Sequence, residues 1–155
     1  GVYLGGIGAA NKLDDYEEGT WTVTMEPSAG FTATNNTSTG YYTKIGNVVT
    51  VSGIAQMTTP ASLGTWSNNS ISFALLVSGL PFNLGSSVGR RSAPVLGIVS
   101  TIGWDSGNVL MGHGSSGGDD FNIFQCKASG ATRTSPNLAS NSAHNLHFGF
   151  TYTTD

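Results

Sequence analysis

Charged residues are scarce in this 155-residue chain: they make up 10% of it, and only six residues are basic. The formal net charge is −3, so the chain lacks the cationic surface needed to neutralise a row of phosphates. We therefore expect no nucleic-acid partner. No apolar run approaches the roughly 20 residues of a membrane-spanning helix. Residues 1–10 lack the basic start of a signal peptide. We expect a soluble protein with no membrane insertion and no export signal of its own.

Cysteine is nearly absent as well, since Cys126 is the single one. One thiol excludes an intrachain disulfide and a multi-thiolate zinc site, and it fits folding in a reducing cytosol. The histidines His113, His144 and His147 have no established zinc spacing, so surface histidines are the simpler interpretation. Asp119-Asp120 is not a calcium loop, and a solvated turn is the simpler interpretation there. The sequence thus predicts no metal site and no cofactor.

Glycine, in contrast, is abundant, with 22 residues, and threonine, serine and asparagine dominate the polar positions. This composition is typical of short strands and tight turns rather than helices. A chain of this length suits one domain. The composition therefore predicts an all-β fold.

Alternation of apolar and polar residues predicts where the strands lie. Trp21, Val23 and Met25 share one face of a strand over 20–25. The pair Gly46-Asn47 joins two strand-like runs and suits a two-residue hairpin turn. Further strands are predicted at 71–78, 93–102, 109–111, 121–127 and 145–153.

About eight strands result. Such a set can bury one face of each strand in a sandwich of two antiparallel sheets, for which a jelly-roll is one topology. Three polar stretches, 30–39, 112–120 and 129–143, are predicted as loops because they are poor in apolar residues. Residues 1–19 begin small and apolar and then turn acidic, with no clear partner within the chain. We expect a stalk-to-head junction over 1–19 and a β-sandwich head over 20–155, with the junction buried against other subunits.

Three separated motifs resemble parts of one family, the C-terminal domains of bacteriophage tail fibres and tailspikes. The run 4–22, with Leu13-Asp-Asp-Tyr-Glu-Glu-Gly-Thr-Trp-Thr, resembles the junction that precedes those domains. Gly40-Tyr-Tyr-Thr-Lys-Ile-Gly-Asn-Val-Val-Thr-Val and Ser78-Gly-Leu-Pro-Phe82 resemble elements within them, in the same order. Val23 departs from the pattern, where the family often has proline, and residues 91–143 resemble no known element.

The resemblance implies a homotrimer at the distal end of a fibre in the virion tail, assembled in the cytoplasm of the bacterial host. It also implies contact with host surface polysaccharide. The function expected is host recognition during adsorption. Two alternatives stay open: a structural cap that only trimerises or folds the fibre, and a part of a polysaccharide depolymerase.

Sugar binding combines an exposed aromatic ring with planar polar side chains. Trp104 stands in a turn-like stretch beside Asp105 and Asn108, and Trp66 stands in a second polar stretch. Both rings suit a glycan site, although each could instead fill the end of the sandwich or a subunit interface. The pair Arg90-Arg91 could bind acidic sugars or a neighbouring subunit, or be a solvated charge pair.

The letters Gly-x-Ser-x-Gly occur at 85–89 and 114–118, but an all-β chain offers no strand-to-helix turn on which such a serine acts as a nucleophile. Glycoside hydrolysis needs two carboxylates at a defined distance in space, and the spacing of residues along the chain does not give that distance. We expect a binding domain with no catalytic residues.

Overall fold

The computed structural model describes residues 2–3, 12–13, 15–27, 32–61, 75–86, 94–100, 102–103, 106–127, 133–134 and 136–155. Within these residues the chain forms β-strands and no helix, which confirms the predicted all-β class. In chain order the strands are β1 (Val2–Tyr3), β2 (Lys12–Leu13), β3 (Tyr16–Pro27), β4 (Thr34–Asn36), β5 (Ser38–Ile45), β6 (Val48–Thr58), β7 (Leu75–Ser78), β8 (Val95–Ser100), β9 (Ile102–Gly103), β10 (Asn108–Gly114), β11 (Asp120–Lys127), β12 (Arg133–Thr134), β13 (Asn137–Leu138) and β14 (Ala143–Thr153).

Most strands belong to one antiparallel sheet, whose path of eight strands runs β10-β11-β7-β3-β5-β6-β14-β8. The two end strands of this path approach each other, and Pro94, just before β8, packs against Gly112 of β10. The sheet is therefore nearly closed and barrel-like. The prediction of two separate sheets is corrected to one continuous sheet, and a jelly-roll order is not confirmed.

Strand β3 explains why the two predicted sheets are joined. Its first part, from Tyr16 to Val23, pairs with β5, and its last part, from Thr24 to Pro27, pairs with β7. A long strand twists along its length, so its two halves can belong to differently oriented parts of a sheet. β3 is thus the strand along which the sheet changes direction.

The core fills the barrel with the inward faces of the long strands, as the period-2 pattern predicts. Trp21, Val23 and Met25 are all buried, and four aromatic rings from β11 and β14 meet edge to face or tilted. Phe121 lies 5.0 Å from Phe148 and 5.2 Å from Phe150 between ring centroids. Such ring pairs add to the stabilisation that burial gives.

The predicted hairpin is confirmed: Ile45 pairs with Val48, and Gly46 takes the positive φ of 58° that the turn requires. The predicted loops are partly wrong. β4 lies inside the stretch 30–39, β10 extends to Gly114, and β12 and β13 lie inside 129–143. These segments are rich in threonine and asparagine, and they pair through the backbone with strands that already exist, which needs little apolar burial.

The acidic half of the predicted junction is part of the sheet. β3 begins at Tyr16, so the strand crosses the predicted boundary between residues 19 and 20. Lys44 on β5 donates hydrogen bonds of 2.9 Å to both Asp15 and Glu17, which raise the pKa of Lys44. Residues 15–19 therefore do have partners in this chain, contrary to the expectation from the sequence.

Residues 79–86, here the plug segment, close one end of the barrel. Leu80 and Leu84 are buried, and backbone N–H groups of the segment donate to the carbonyl oxygens of Asp119, Gly118 and Thr153. Gly79 begins the segment at a φ of 90°, a conformation that favours glycine. The motif Ser78-Gly-Leu-Pro-Phe82 thus ends a strand and starts the plug.

The Tyr152 hydroxyl joins β14 to the plug segment by donating a 2.9 Å hydrogen bond to the Phe82 carbonyl oxygen. Burial raises the pKa of Tyr152 above its usual value. The folded state therefore disfavours the tyrosinate.

We expect the folded state to lose stability as the pH rises above about 10, because there the unfolded chain ionises Tyr152 and the folded chain does not. Below that pH the contribution of Tyr152 is fully present. Tyr152→Phe should cost about 1–2 kcal/mol at neutral pH, since the Phe82 oxygen loses its donor. The melting temperature of Tyr152→Phe should then fall less steeply than that of the wild type between about pH 9.5 and 11.5. Parallel melting curves for the two proteins across this range would contradict the prediction.

Candidate functional site

The strand registers give the barrel two distinct ends. The hairpin end carries the Gly46-Asn47 turn, the first residues of β3 and the plug segment. The opposite end, here the loop end, is where β3 and β6 finish, at Pro27 and Thr58, and where β14 begins, at Ala143. β11 also finishes and β10 also begins at the loop end, because Asn108 pairs with Lys127.

Most predicted glycan-binding residues lie outside the described part of the chain: Trp66, Arg90, Arg91, Trp104 and Asp105. The described residues on either side show where these stretches leave the barrel. The stretch with Trp104 and Asp105 lies between Gly103 and Ser106, and the stretch with Trp66 lies between Ala61 and Leu75.

Both of these connections start and finish at the loop end. Thr59 and Pro60 bond to the turn before β14 through Ser142 and Asn141, and β9 pairs with β13 beside the start of β14. The connection that holds Arg90 and Arg91 differs, because it leaves the hairpin end after Ser86, whose N–H donates to Asp155. The described residues that flank the two tryptophan stretches thus lie at one end of the barrel, whereas Ser86, the described residue before the arginine pair, lies at the other.

Asn108 is the one predicted site residue within the described part of the chain. Its side chain is 8% exposed, and its amide donates a 3.1 Å hydrogen bond to Oε1 of Gln125, which is fully buried. Both side chains point into the barrel at the loop end. The two buried amides satisfy polar groups of each other, so Asn108 belongs to the interior of the loop end rather than to its surface.

A second buried polar group lies at the same end. His144 is fully buried, with Nε2 3.2 Å from the Ala139 carbonyl oxygen and 3.4 Å from Oγ1 of Thr59. Thr59 in turn donates to Ala139 and accepts from the Ser142 N–H. These bonds fasten the turn before β14 to the end of β6. The expectation of a surface histidine is wrong for His144, whereas His147 is exposed.

An exposed apolar row crosses three strands at the hairpin end. Tyr16 pairs with Ile45, and Ile45 pairs with Val48, so the three side chains project side by side from the outer face. Tyr16 also donates a 2.7 Å hydrogen bond to Glu18, which raises the pKa of Tyr16. We call these three residues the apolar row. Exposed apolar side chains that adjoin one another are typical of a contact with another protein surface.

Metal binding has no visible basis in the described side chains, which contain no group of three or more His, Cys, Asp or Glu residues close together. None of the described residues belongs to a helix long and apolar enough to cross a membrane.

Known proteins resemble this chain in fold rather than in sequence. No protein-family model matches it, and no curated protein matches it. Its fold is similar to part of the crystal structure of the Dettilon tailspike protein (gp208), with a TM-score of 0.65 and 15% sequence identity. The similarity covers 94% of this chain and 25% of the tailspike chain. This chain therefore spans about a quarter of the length of that protein, and the likeness establishes a shared fold.

Proposed function

We propose that this chain is a domain of a bacteriophage tail fibre or tailspike, located in the virion tail, that trimerises and binds glycan on the host cell surface. The observation that carries the proposal is the fold, which is similar over nearly the whole chain to a domain-sized part of a tailspike. The three sequence motifs that resemble tail-fibre domains are independent support, because they do not depend on the fold comparison.

The loop end is the expected place of glycan contact. The connections that contain Trp66 and Trp104 both leave the barrel there, at the end where the Asn108–Gln125 and Thr59–His144 hydrogen bonds lie. Rigid strands beneath variable polar connections are a common arrangement for recognition. Weak contacts at one domain gain strength when several copies bind together.

Trimerisation is supported by the apolar row at the hairpin end, which gives a neighbouring copy a contact surface of Tyr16, Ile45 and Val48. Light scattering should give a mass three times the 16.0 kDa of the chain. The double variant Ile45→Glu and Val48→Glu should shift this mass towards that of a monomer, because charged side chains are depleted at interface cores. A wild-type monomer at micromolar concentration would contradict the proposal.

We propose binding without catalysis for this domain. The described carboxylates are largely engaged: Asp15 and Glu17 bind Lys44, Glu18 accepts from Tyr16, and Asp120 accepts from Ser115. The depolymerase alternative is tested by incubating the domain with capsule or lipopolysaccharide from bacterial strains to which it adsorbs. Release of new reducing ends would favour that alternative.

Trp104→Ala is the direct test of glycan contact at the loop end. If the ring is on the surface, adsorption of a fluorescent trimer to bacterial cells should fall about tenfold or more, while the melting temperature stays nearly unchanged. If the ring is core, the variant should instead lose about 3–5 kcal/mol of stability. Trp66→Ala tests the other loop-end connection by itself. Arg90→Ala is a comparison from the connection that leaves the hairpin end. A large drop in melting temperature with Trp104→Ala would refute the assignment of this residue to a site.

The purely structural alternative predicts a different result. In that case the wild type should form trimers but should not adsorb to bacterial cells, because no part of the domain would touch a receptor. A wild-type trimer that adsorbs to no tested strain and binds no glycan on an array would favour a structural cap.

A further inference from the structure

Among the described aromatic rings on the outer face of the sheet, that of Tyr41 on β5 is the most exposed, at 61%. The registers place Tyr41 in one row with Thr20 on β3, Ser52 on β6 and Gly149 on β14. Val95 on β8 pairs with Gly149 and closes the row at 73% exposed. Tyr41 and Val95 therefore project on either side of two small residues, at roughly 14 Å, which is three strand spacings.

The polar groups of this row are not used within the described part of the chain. No side-chain hydrogen bond or ring contact engages Tyr41, and none engages the hydroxyls of Thr20 and Ser52. The next row towards the hairpin end differs, because Oγ1 of Thr50 lies 2.9 Å from Oγ1 of Thr151. The row around Tyr41 thus offers an open ring and unpaired hydroxyls.

The charges on this face indicate which partner fits. No lysine or arginine points outward from the described parts of β3, β5, β6, β14 and β8; the charged or imidazole side chains that do are Glu18, Glu26 and His147. A face without cations does not suit an acidic polymer, whether a nucleic acid or an acidic glycan. Unpaired hydroxyls beside an aromatic ring suit a neutral sugar, whose hydroxyls form hydrogen bonds and whose C–H groups pack on the ring.

A second copy of the chain fits this row less well. Serine and threonine contribute little to the energetic centres of protein interfaces, which use large apolar and aromatic side chains. The apolar row at the hairpin end has that character. It lies four residues along β5 from Tyr41, a distance of roughly 13 Å. Copies can therefore meet at the apolar row while the row around Tyr41 stays open.

We propose that Tyr41, Thr20 and Ser52 form a second carbohydrate site, on the side of the barrel, for a neutral polysaccharide. One sugar ring stacks on Tyr41 and bonds to Ser52, in the gap that Gly149 leaves open before Val95, and a neighbouring sugar of the polymer bonds to Thr20 on the other side of the Tyr41 ring. This inference rests on the proposed glycan-binding function and adds a site that is separate from the loop end.

The test is affinity electrophoresis of the trimer in native gels that contain purified bacterial surface polysaccharides, some neutral and some acidic. Tyr41→Ala should weaken retention by neutral polysaccharides about tenfold, whereas Tyr41→Phe should retain most of it. Gly149→Thr should also weaken retention, because the new side chain fills the gap. The fold has room for it: a Cβ atom on Gly149 would meet Val51 O at 3.6 Å and Ser52 Cβ at 4.0 Å. Thr153→Val, an outward change on the same strand, is the matched control and should bind like the wild type.

The outcomes separate this site from the proposed function. Retention of Tyr41→Ala equal to the wild type, with Trp104→Ala weakened, overturns the second site and leaves the loop-end function standing. A wild type retained by no polysaccharide refutes the glycan-binding function, and the second site with it. Retention by acidic polysaccharides alone overturns the proposed ligand class. Loss of the trimer in Tyr41→Ala shows that the row is a contact between copies and overturns the site.

Discussion

Phe121→Ala should cost about 4 kcal/mol of the free energy of unfolding, the largest loss expected from a single side chain in this chain. Phe121 is fully buried, and its ring contacts those of Phe148 and Phe150 edge to face. Removing it opens a cavity between β11 and β14, on opposite sides of the barrel, so no single strand can move to fill the space. Chemical denaturation at fixed protein concentration gives the difference.

Tyr41→Ala is the control for Phe121→Ala, because it also removes an aromatic ring from the middle of a strand. Its side chain is exposed, so the loss should be less than about 1 kcal/mol. Equal losses for the two variants would show that the ring at position 121 does not lie at the centre of the core.

Gly40→Val should be the second severe substitution, costing about 3 kcal/mol or preventing folding. Gly40 lies beneath the indole of Trp21: a Cβ atom there would press on Nε1 and stand 2.5 Å from Cε2, with Val23 Cγ2 at 2.9 Å. The indole is buried against Phe148, at 5.9 Å between ring centroids, so it cannot swing away without disturbing β14. Thermal melting followed by the tryptophan fluorescence measures the effect.

Gly149→Ala is the matched control, since Gly149 is also a strand glycine but has ordinary van der Waals space for a Cβ atom. It should be neutral or slightly stabilising, because alanine reduces the entropy of the unfolded chain. A melting temperature for Gly40→Val close to that of Gly149→Ala would show that the indole has room to move.

Side-chain alternation was the most informative signal in the sequence. It correctly assigned the inward face of β3, because one buried face per strand leaves a period of two that no tertiary contact needs to reveal. The same alternation places His144 on the face of Leu146 and Phe148, and so could have identified it as buried. Judging that histidine by its polarity alone led to the wrong expectation.

The closure of the sheet was harder to predict from the sequence. Nothing in the sequence of β3 marks the point after Val23 at which its partner changes, since the alternation of Trp21, Val23 and Met25 continues across it. The short strands β4, β12 and β13 were missed for a related reason: backbone pairing holds them, and their side chains carry no apolar pattern. Lys44 shows a third limit, because its bonds to Asp15 and Glu17 depend on the register between β3 and β5.

The candidate site was predicted mainly from tryptophans in polar stretches. The fold adds that the stretches around Trp66 and Trp104 leave the same end of the barrel, which depends on strand direction and so is invisible in spacing. Tyr41 was passed over because it sits in a regular strand, next to an inward tyrosine, Tyr42. Its exposure depends on which of the two tyrosines faces the core, and the hydroxyls around it come from two other strands, β3 and β6.

Strand β14 has a consequence for synthesis on the ribosome. It is the latest of the strands to be made, yet it lies between β6 and β8, and its partner residues on β6 are about a hundred positions earlier, as Thr50 and Thr151 are 101 residues apart. Until β14 leaves the exit tunnel, both neighbours carry unpaired edges, and the barrel cannot close around Phe121. Pairing over such a span is slow. The nascent chain therefore holds this domain open until β14 has been synthesised, which delays any contact between copies that needs the closed barrel.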